Sequence, residues 1–151
     1  MAEATEGKLP NLPRRKLAVL ACMDARLNVE QVLDLRLGDA HVIRNAGGIA
    51  TDDAIRSIVI SQHLLGTEEV VVIEHTECGM LTFQDADLQR HLVEKTGVDV
   101  DLALHAFPDL ETNLRDQVER IRAHPWIKDV PVRGLIYDIE TRELRELRLI
   151  S

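Results

Sequence analysis

The residues best able to do chemistry in this chain are its two cysteines, Cys22 and Cys78, and a histidine, His75, three positions before the second cysteine. Two thiolates and one imidazole suit zinc, with expected distances of about 2.3 Å for Zn–S and about 2.0–2.1 Å for Zn–N. Three protein ligands are typical of catalytic zinc, because a structural zinc takes four and the chain has no third cysteine. The sequence therefore predicts a zinc site whose fourth position belongs to water or to Asp24.

Other uses of the two cysteines stay open at this point. Buried cysteine usually behaves as a small hydrophobic residue, and a single His-x-x-Cys spacing is common by chance. A dithiol redox switch between Cys22 and Cys78 is one alternative, although neither cysteine lies in a Cys-x-x-Cys pair. A cysteine phosphatase loop would need an arginine at position 28, where this chain has Asn28.

Asp24 and Arg26 follow the first cysteine closely enough to form a charge-assisted hydrogen bond in a tight turn. The plain alternative is a surface salt bridge worth under about 1 kcal/mol. Because Asp24 lies two residues from a candidate thiolate ligand, it can either accept a hydrogen bond from water on the metal or bind the metal itself. Arg26 would decide between these roles by holding the carboxylate back.

Apolar runs predict the strands that position these residues. Residues 16–22 form a short apolar run and residues 70–73 are four β-branched residues, the pattern of strands buried on both faces. A third strand is predicted over 40–44. In open α/β sheets, ligands collect beyond the carboxyl ends of the strands, so both cysteines and His75 are expected at one sheet edge.

The remaining pattern predicts one α/β domain with a mostly parallel sheet of about four strands plus an edge strand, flanked by helices. Residues 1–15 are predicted to be an amino-terminal arm and residues 16–151 the domain. Further strands are predicted over 132–139 and, at the sheet edge, 143–150. The predicted helices span residues 28–35, 51–65, 85–96 and 109–123.

Composition narrows the classes of partner. The formal net charge of −8 has the wrong sign for binding nucleic acid or an anionic membrane, and an aromatic content of 3% leaves few stacking platforms for bases. No stretch approaches the roughly 20 apolar residues that span a bilayer, and the first residues lack the apolar region of a signal peptide. We therefore expect a cytoplasmic protein that acts on a small molecule.

Three segments, CMDAR (22–26), RNAG (44–47) and HTECGM (75–80), occur in the order seen in the β-class carbonic anhydrases and together resemble that family. The likeness spans residues from about 17 to 83, and residues 134–138 resemble the family's fourth strand. The resemblance implies that Cys22, His75 and Cys78 are the zinc ligands, one zinc per subunit. It also implies that Asp24 and Arg26 are the catalytic dyad, and that the protein is a homodimer or a dimer of dimers.

The activity that this likeness implies is reversible hydration of carbon dioxide to bicarbonate and a proton by a zinc-bound hydroxide. Ile49 and Leu81 would line a dry pocket or belong to the plain core, and Arg44 would either help bicarbonate leave or hold structure. Glu74 is expected not to bind the metal. Relatives that hydrolyse carbonyl sulfide or carbon disulfide with the same metal set offer one alternative, and a non-enzymatic zinc or redox sensor offers another.

Overall fold

The computed structural model describes residues 11–149 and contains a five-stranded sheet. Its strands in chain order are β1 (Leu17–Cys22), β2 (Ala40–Asn45), β3 (Glu69–His75), β4 (Val132–Tyr137) and β5 (Leu144–Leu147). Across the sheet the order is β2-β1-β3-β4-β5, with parallel pairs throughout except for the antiparallel β4–β5 pair. The predicted α/β fold, with four parallel strands and an edge strand, is confirmed.

Four helices connect the strands: α1 (Val29–Val32), α2 (Asp52–Leu65), α3 (Asp85–Thr96) and α4 (Leu110–Ala123). Local sequence sets their ends. The hydroxyl of Thr51 accepts a hydrogen bond from the Ala54 amide at the start of α2, and Gly66 ends that helix in the left-handed conformation at φ 79°. Asp109 caps α4 in the same way. These boundaries match the predicted ones to within a residue.

The predicted helix over residues 28–35 is wrong in its length. Asn28 caps the helix, but α1 ends at Val32 after a single turn. Asp34 adopts a left-handed φ of 52°, and the Leu35 amide donates to the Glu30 carbonyl instead of continuing the helical ladder. The apolar residues of the sequence therefore keep helical spacing past Val32, where the observed helix ends.

The two final strands are shorter than predicted. β4 ends at Tyr137 rather than at residue 139, and β5 covers only four residues of the predicted 143–150 segment. Residue 150 lies outside the described residues, as do residues 1–10 of the predicted arm. Within the described part of that arm, the amides of Arg14 and Arg15 donate to the carbonyls of Gly38 and Asp39, which ties this segment to the domain.

Alternation along the strands gives the sheet two buried faces. We call one the site face, because Ala21 and Ile73 lie there beside both cysteines, covered by α1, Met80 and Phe107. We call the other the helix face, where Leu20 and Val72 pack against α2 and α4. The helix face thus has regular cover, whereas the site face is covered largely by loops.

Helix α3 differs from the other long helices because none of its residues is buried. Leu92 on this helix and Val98, Val100 and Leu102 just after it are exposed apolar side chains. Among the described residues, no helix is both long enough and apolar enough to cross a membrane.

Candidate metal centre

The three predicted metal ligands meet at the carboxyl edge of the sheet. Cys22 is the last residue of β1 and His75 the last residue of β3, its parallel neighbour. Cys78 follows in a turn that a left-handed Glu77 (φ 56°) makes possible, directly before a short 3-10 helix (Gly79–Leu81). Their sulfur and ring nitrogen atoms all lie within 4.8 Å of one another. Within residues 11–149, no other group of three such donors converges.

The tautomer of His75 is fixed by its backbone neighbour. Its Nδ1 lies 2.7 Å from the carbonyl oxygen of Thr76, and because a carbonyl can only accept, Nδ1 carries the proton and donates. In the neutral imidazole, the form that binds a metal, the other nitrogen, Nε2, then presents a lone pair. That atom is fully buried and has no hydrogen-bond partner among the described residues. A buried imidazole lone pair facing two sulfurs fits a metal ion.

The two sulfurs lie close enough to shift each other's pKa. A hydrogen bond from Cys78 lowers the pKa of the Cys22 thiol well below its usual range, and the same bond raises the pKa of Cys78. Backbone N–H groups of Asp24 and Gly47 also stabilise the Cys22 thiolate. Since zinc binds deprotonated thiols, a thiol with a lowered pKa and a second thiol beside it fit this donor set.

Asp24 and Arg26 form a closed pair at the rim of this cluster. Arg26 donates from Nε to Oδ1 of Asp24 at 3.0 Å and from Nη2 to Oδ2 at 2.8 Å, and its backbone N–H donates to Oδ1 at 2.8 Å. These bonds hold the pKa of Asp24 at about 2. The same Nη2 also donates to the Glu77 carbonyl at 2.9 Å, which joins the loops after β1 and β3. Asp24 Oδ2 lies 3.6 Å from His75 Nε2, so the carboxylate faces the cluster.

Arg44 acts within the fold. Its guanidinium donates to the carbonyl oxygens of Cys22, Asp24 and Leu27 at 3.0, 2.9 and 2.8 Å. Three carbonyls from one loop on one guanidinium fix the course of the chain after β1. Of the two roles expected for Arg44, the structure therefore shows the structural one.

The loop after β2 packs backbone against backbone beside the first cysteine. A Cβ on Gly48 would lie 3.2 Å from the Cys22 nitrogen and 3.3 Å from the carbonyl carbon of Ala21, and the residue has φ +63°. Asn45 closes this loop with two hydrogen bonds of 2.8 Å to the backbone of Ile49. Only glycine permits this close approach of the loop to the Cys22 backbone.

Apolar side chains on the site face pack beside the metal-ligand cluster. A Cβ on Gly47 would meet Met80 at 3.1 Å, Phe107 at 3.2 Å and Ile49 at 3.3 Å. Ile49 is buried in the apolar core of the site face, and Leu81 packs against that core partly buried. Their apolar type led us to expect this. Sequence analysis missed Phe107, which lies in a segment without regular secondary structure and donates from its amide to the Met80 carbonyl.

Glu74 precedes His75 but points to the opposite face, where it is 1% exposed. Burial raises its pKa to about 8, against the opposing effect of a hydrogen bond from Asn113. Because its side chain lies on the opposite face of the sheet, Glu74 is not part of the Cys22–His75–Cys78 cluster. Its partners were also missed, although Asn113 and Gln117 interrupt the apolar stripe of α4 at a spacing of four, which is a visible signal.

Comparison with known proteins agrees with this arrangement. The carbonic anhydrase family model matches residues 17–144. The chain is 44% identical over 147 residues to β-carbonic anhydrase 1 of Mycobacterium tuberculosis, covering 97% of this chain and 90% of that protein. It is 40% identical over 163 aligned positions to a carbon disulfide hydrolase of Acidianus, covering 91% and 79%.

A solved structure extends the likeness to three dimensions. The carbonic anhydrase of Streptococcus mutans matches with a TM-score of 0.89 at 42% identity, covering 97% of this chain and 91% of that one. Sequence identity, coverage and fold all point the same way: this chain belongs to the β-carbonic anhydrase family.

Proposed function

We propose that this chain is a zinc-dependent carbonic anhydrase that interconverts carbon dioxide and bicarbonate, with one zinc per subunit held by Cys22, His75 and Cys78. The observation that carries the proposal is the buried Nε2 of His75, which has no hydrogen-bond partner among the described residues, in a ring whose donor nitrogen lies within 4.8 Å of both sulfurs. A zinc ion bound by these groups supplies a Lewis acid that lowers the pKa of a coordinated water from 15.7 to about 7.

Asp24 and Arg26 orient the reacting water. An ionised Asp24 can only accept hydrogen bonds, so a water or a bicarbonate hydroxyl beside it must donate its proton toward Oδ2. That leaves the oxygen lone pair free to attack the carbon of carbon dioxide. Because both carboxylate oxygens of Asp24 accept from Arg26, the pair also keeps Asp24 from closing the fourth zinc position.

The apolar wall suits the substrate. Carbon dioxide is linear and has no net dipole, so it gains more from a dry surface than from hydrogen bonds. Ile49, Met80 and Phe107 supply such a surface next to the cysteines. These side chains thereby exclude water from the apolar side of the site, away from Asp24.

Metal analysis paired with a stopped-flow carbon dioxide hydration assay tests this proposal. We expect about one zinc per chain, loss of hydration on treatment with a chelator, and recovery when zinc is restored. A protein that carries zinc but forms no bicarbonate at any pH would refute the proposed enzyme. That result would favour a zinc or redox sensor.

Carbon disulfide or carbonyl sulfide hydrolysis is the second candidate. The observation that favours it is the 40% identity to a carbon disulfide hydrolase. Both sulfur compounds are linear and largely apolar, so the same wall and the same water-orienting pair would serve them. Release of sulfide from carbon disulfide, together with negligible bicarbonate formation from carbon dioxide, would select this activity over the first.

We further propose that the chain forms a homodimer or a dimer of dimers. The support is helix α3, a 12-residue helix with no buried residue, followed by three exposed apolar side chains at Val98, Val100 and Leu102. A helix with so little tertiary packing is marginal in water, so a second subunit is expected to cover it. Sedimentation velocity at micromolar concentration tests this, and a monomer under those conditions would contradict it.

A further inference from the structure

A chain of buried hydrogen bonds runs beneath the metal centre on the helix face. The backbone N–H of Ala50 donates to Oε1 of Gln117 at 2.8 Å, and Nε2 of Gln117 donates to Oδ1 of Asn113 at 2.9 Å. Nδ2 of Asn113 then donates to both carboxyl oxygens of Glu74, at 3.0 and 2.8 Å. Glu74, Asn113 and Gln117 are all buried.

The direction of this chain is set by a single backbone group. The Ala50 amide can only donate, so the atom of Gln117 that faces it must be the oxygen. The Gln117 nitrogen then faces Asn113 and requires an oxygen there, which in turn leaves the Asn113 nitrogen facing Glu74. Each amide therefore aligns its N–H toward the carboxyl group, and the bonds strengthen one another.

Both ends of the chain lie next to groups of the metal centre. Glu74 is bonded through the backbone to His75, whose ring lies on the opposite face. Ala50 ends the loop in which Gly48 rests on the Cys22 backbone. Helix α4, which supplies both amides, thus links the strand that holds one ligand to the loop that supports another.

We propose that Glu74, Asn113 and Gln117 are positioning residues that hold the loop after β2 and the end of β3 in register, and so preorganise the zinc ligands. The inference rests on the proposed zinc centre. A carboxyl group and two amides are costly to bury, and apolar residues of similar size would pack this face at lower cost. Outer partners of metal ligands, when removed, weaken metal binding even where the ligands themselves stay intact.

The experiment measures two quantities for each purified full-length variant: the zinc dissociation constant, by competition with a chromophoric chelator, and the unfolding free energy of the metal-free protein. Gln117→Met removes the acceptor of the Ala50 amide, and so breaks the chain of hydrogen bonds at its Ala50 end. It does not alter the charge and does not replace a proposed zinc ligand. Asn113→Leu separates the amides from Glu74. Val118→Ala is the matched control, because Val118 is buried on the same helix and against the same face but lies outside the chain.

We expect each chain variant to raise the zinc dissociation constant roughly 10- to 100-fold, the range found when outer partners of ligands are lost. Val118→Ala should lower the unfolding free energy and leave the dissociation constant within about threefold of wild type, since cavity effects stay local. Because the two chain variants break one connected unit, their combination should cost less than the product of their separate effects. Dissociation constants in the chain variants that match Val118→Ala would overturn the inference.

Hydrogen exchange on the wild-type protein gives a test that no folding defect can obscure. If the chain positions the ligands, zinc binding must in return stabilise the chain. We expect zinc to slow exchange of the Ala50 amide more than that of the Thr67 amide, which bonds to Ser61 at the opposite sheet edge. Equal slowing would count against the inference. A wild-type protein that binds no zinc would instead refute the proposed function, so the two failures are distinguishable.

Discussion

The two faces of the sheet differ in the kind of structure that covers them. The helix face is covered by two 14-residue helices: α2 packs Ile58 against the strands, and α4 packs Leu114 and Ile121 there. The site face is covered by the single turn of α1, a 3-10 turn and the irregular segment that carries Phe107. Binding and catalytic residues are disproportionately found on loops that a rigid scaffold positions. The comparison teaches that the candidate reactive groups lie on one side of the strands and most of the helical packing on the other, with the buried chain of Glu74, Asn113 and Gln117 linking the two.

The largest expected effect lies on the site face. Cys22→Ser should remove most of the bound zinc and abolish hydration, because the serine hydroxyl does not ionise to replace a thiolate. Metal analysis after dialysis, together with the hydration assay, measures both losses. Retention of full zinc content would remove Cys22 from the ligand set, and a preserved circular dichroism spectrum shows that the fold survives the change.

The matching change on the helix face should act on stability alone. Leu114 is fully buried and lies against Gly134 of β4, so Leu114→Ala should lower the unfolding free energy by about 2–5 kcal/mol. Urea unfolding of the metal-free protein measures this. Arg115→Ala, at the next position but exposed, serves as the control and should stay within about 0.5 kcal/mol. If the Leu114 variant lost zinc under native conditions, the prediction that this change affects stability alone would be wrong.

Arg26→Ala separates turnover from metal binding on the site face. Zinc content should remain, while turnover should fall roughly 10- to 100-fold because Asp24 loses the partner that fixes its carboxylate. The control is Arg56→Ala, an exposed arginine that pairs only loosely with Asp53 at 3.5 Å. Equal rates in the two variants would reduce Arg26 to a surface charge.

The smallest effect is expected at the start of α2. Thr51→Ala removes the side-chain bond to the Ala54 amide and should lower the unfolding free energy by about 1 kcal/mol. Thr51→Ser keeps the hydroxyl and should restore most of that loss. Hydration rates per bound zinc should be unchanged in both, and a fall in those rates would show that the helix face also controls the chemistry directly.

The strand ends were predictable because parallel strands place their carboxyl ends at one edge. Apolar runs located β1 and β3, and the observed register pairs Ala21 with Ile73, so Cys22 and His75 had to meet. The length of α1 was not predictable in the same way. Apolar spacing continues through Leu33 and Leu35, and only the left-handed backbone at Asp34 ends the helix.

The support beneath the centre could not be predicted because it depends on which residues of α4 face which residues of β3. Asn113 and Gln117 are visible as polar residues in an apolar stripe, but the sequence does not show that Glu74 and Ala50 are their partners. Arg44 illustrates the same limit. Its type suited an anion at the site mouth as well as three backbone carbonyls, and only the course of the loop after β1 decides between them.

The strand order has a consequence for how the ligand set assembles during folding. His75 and Cys78 are near neighbours along the chain and can meet in an unfolded segment, whereas Cys22 lies more than fifty positions earlier. It reaches them only when β1 is inserted between β2 and β3, a non-local pairing that must close a long loop. The proposed three-ligand set is therefore complete only when this pairing has formed, and its appearance marks a chain in which β1 and β3 are correctly paired.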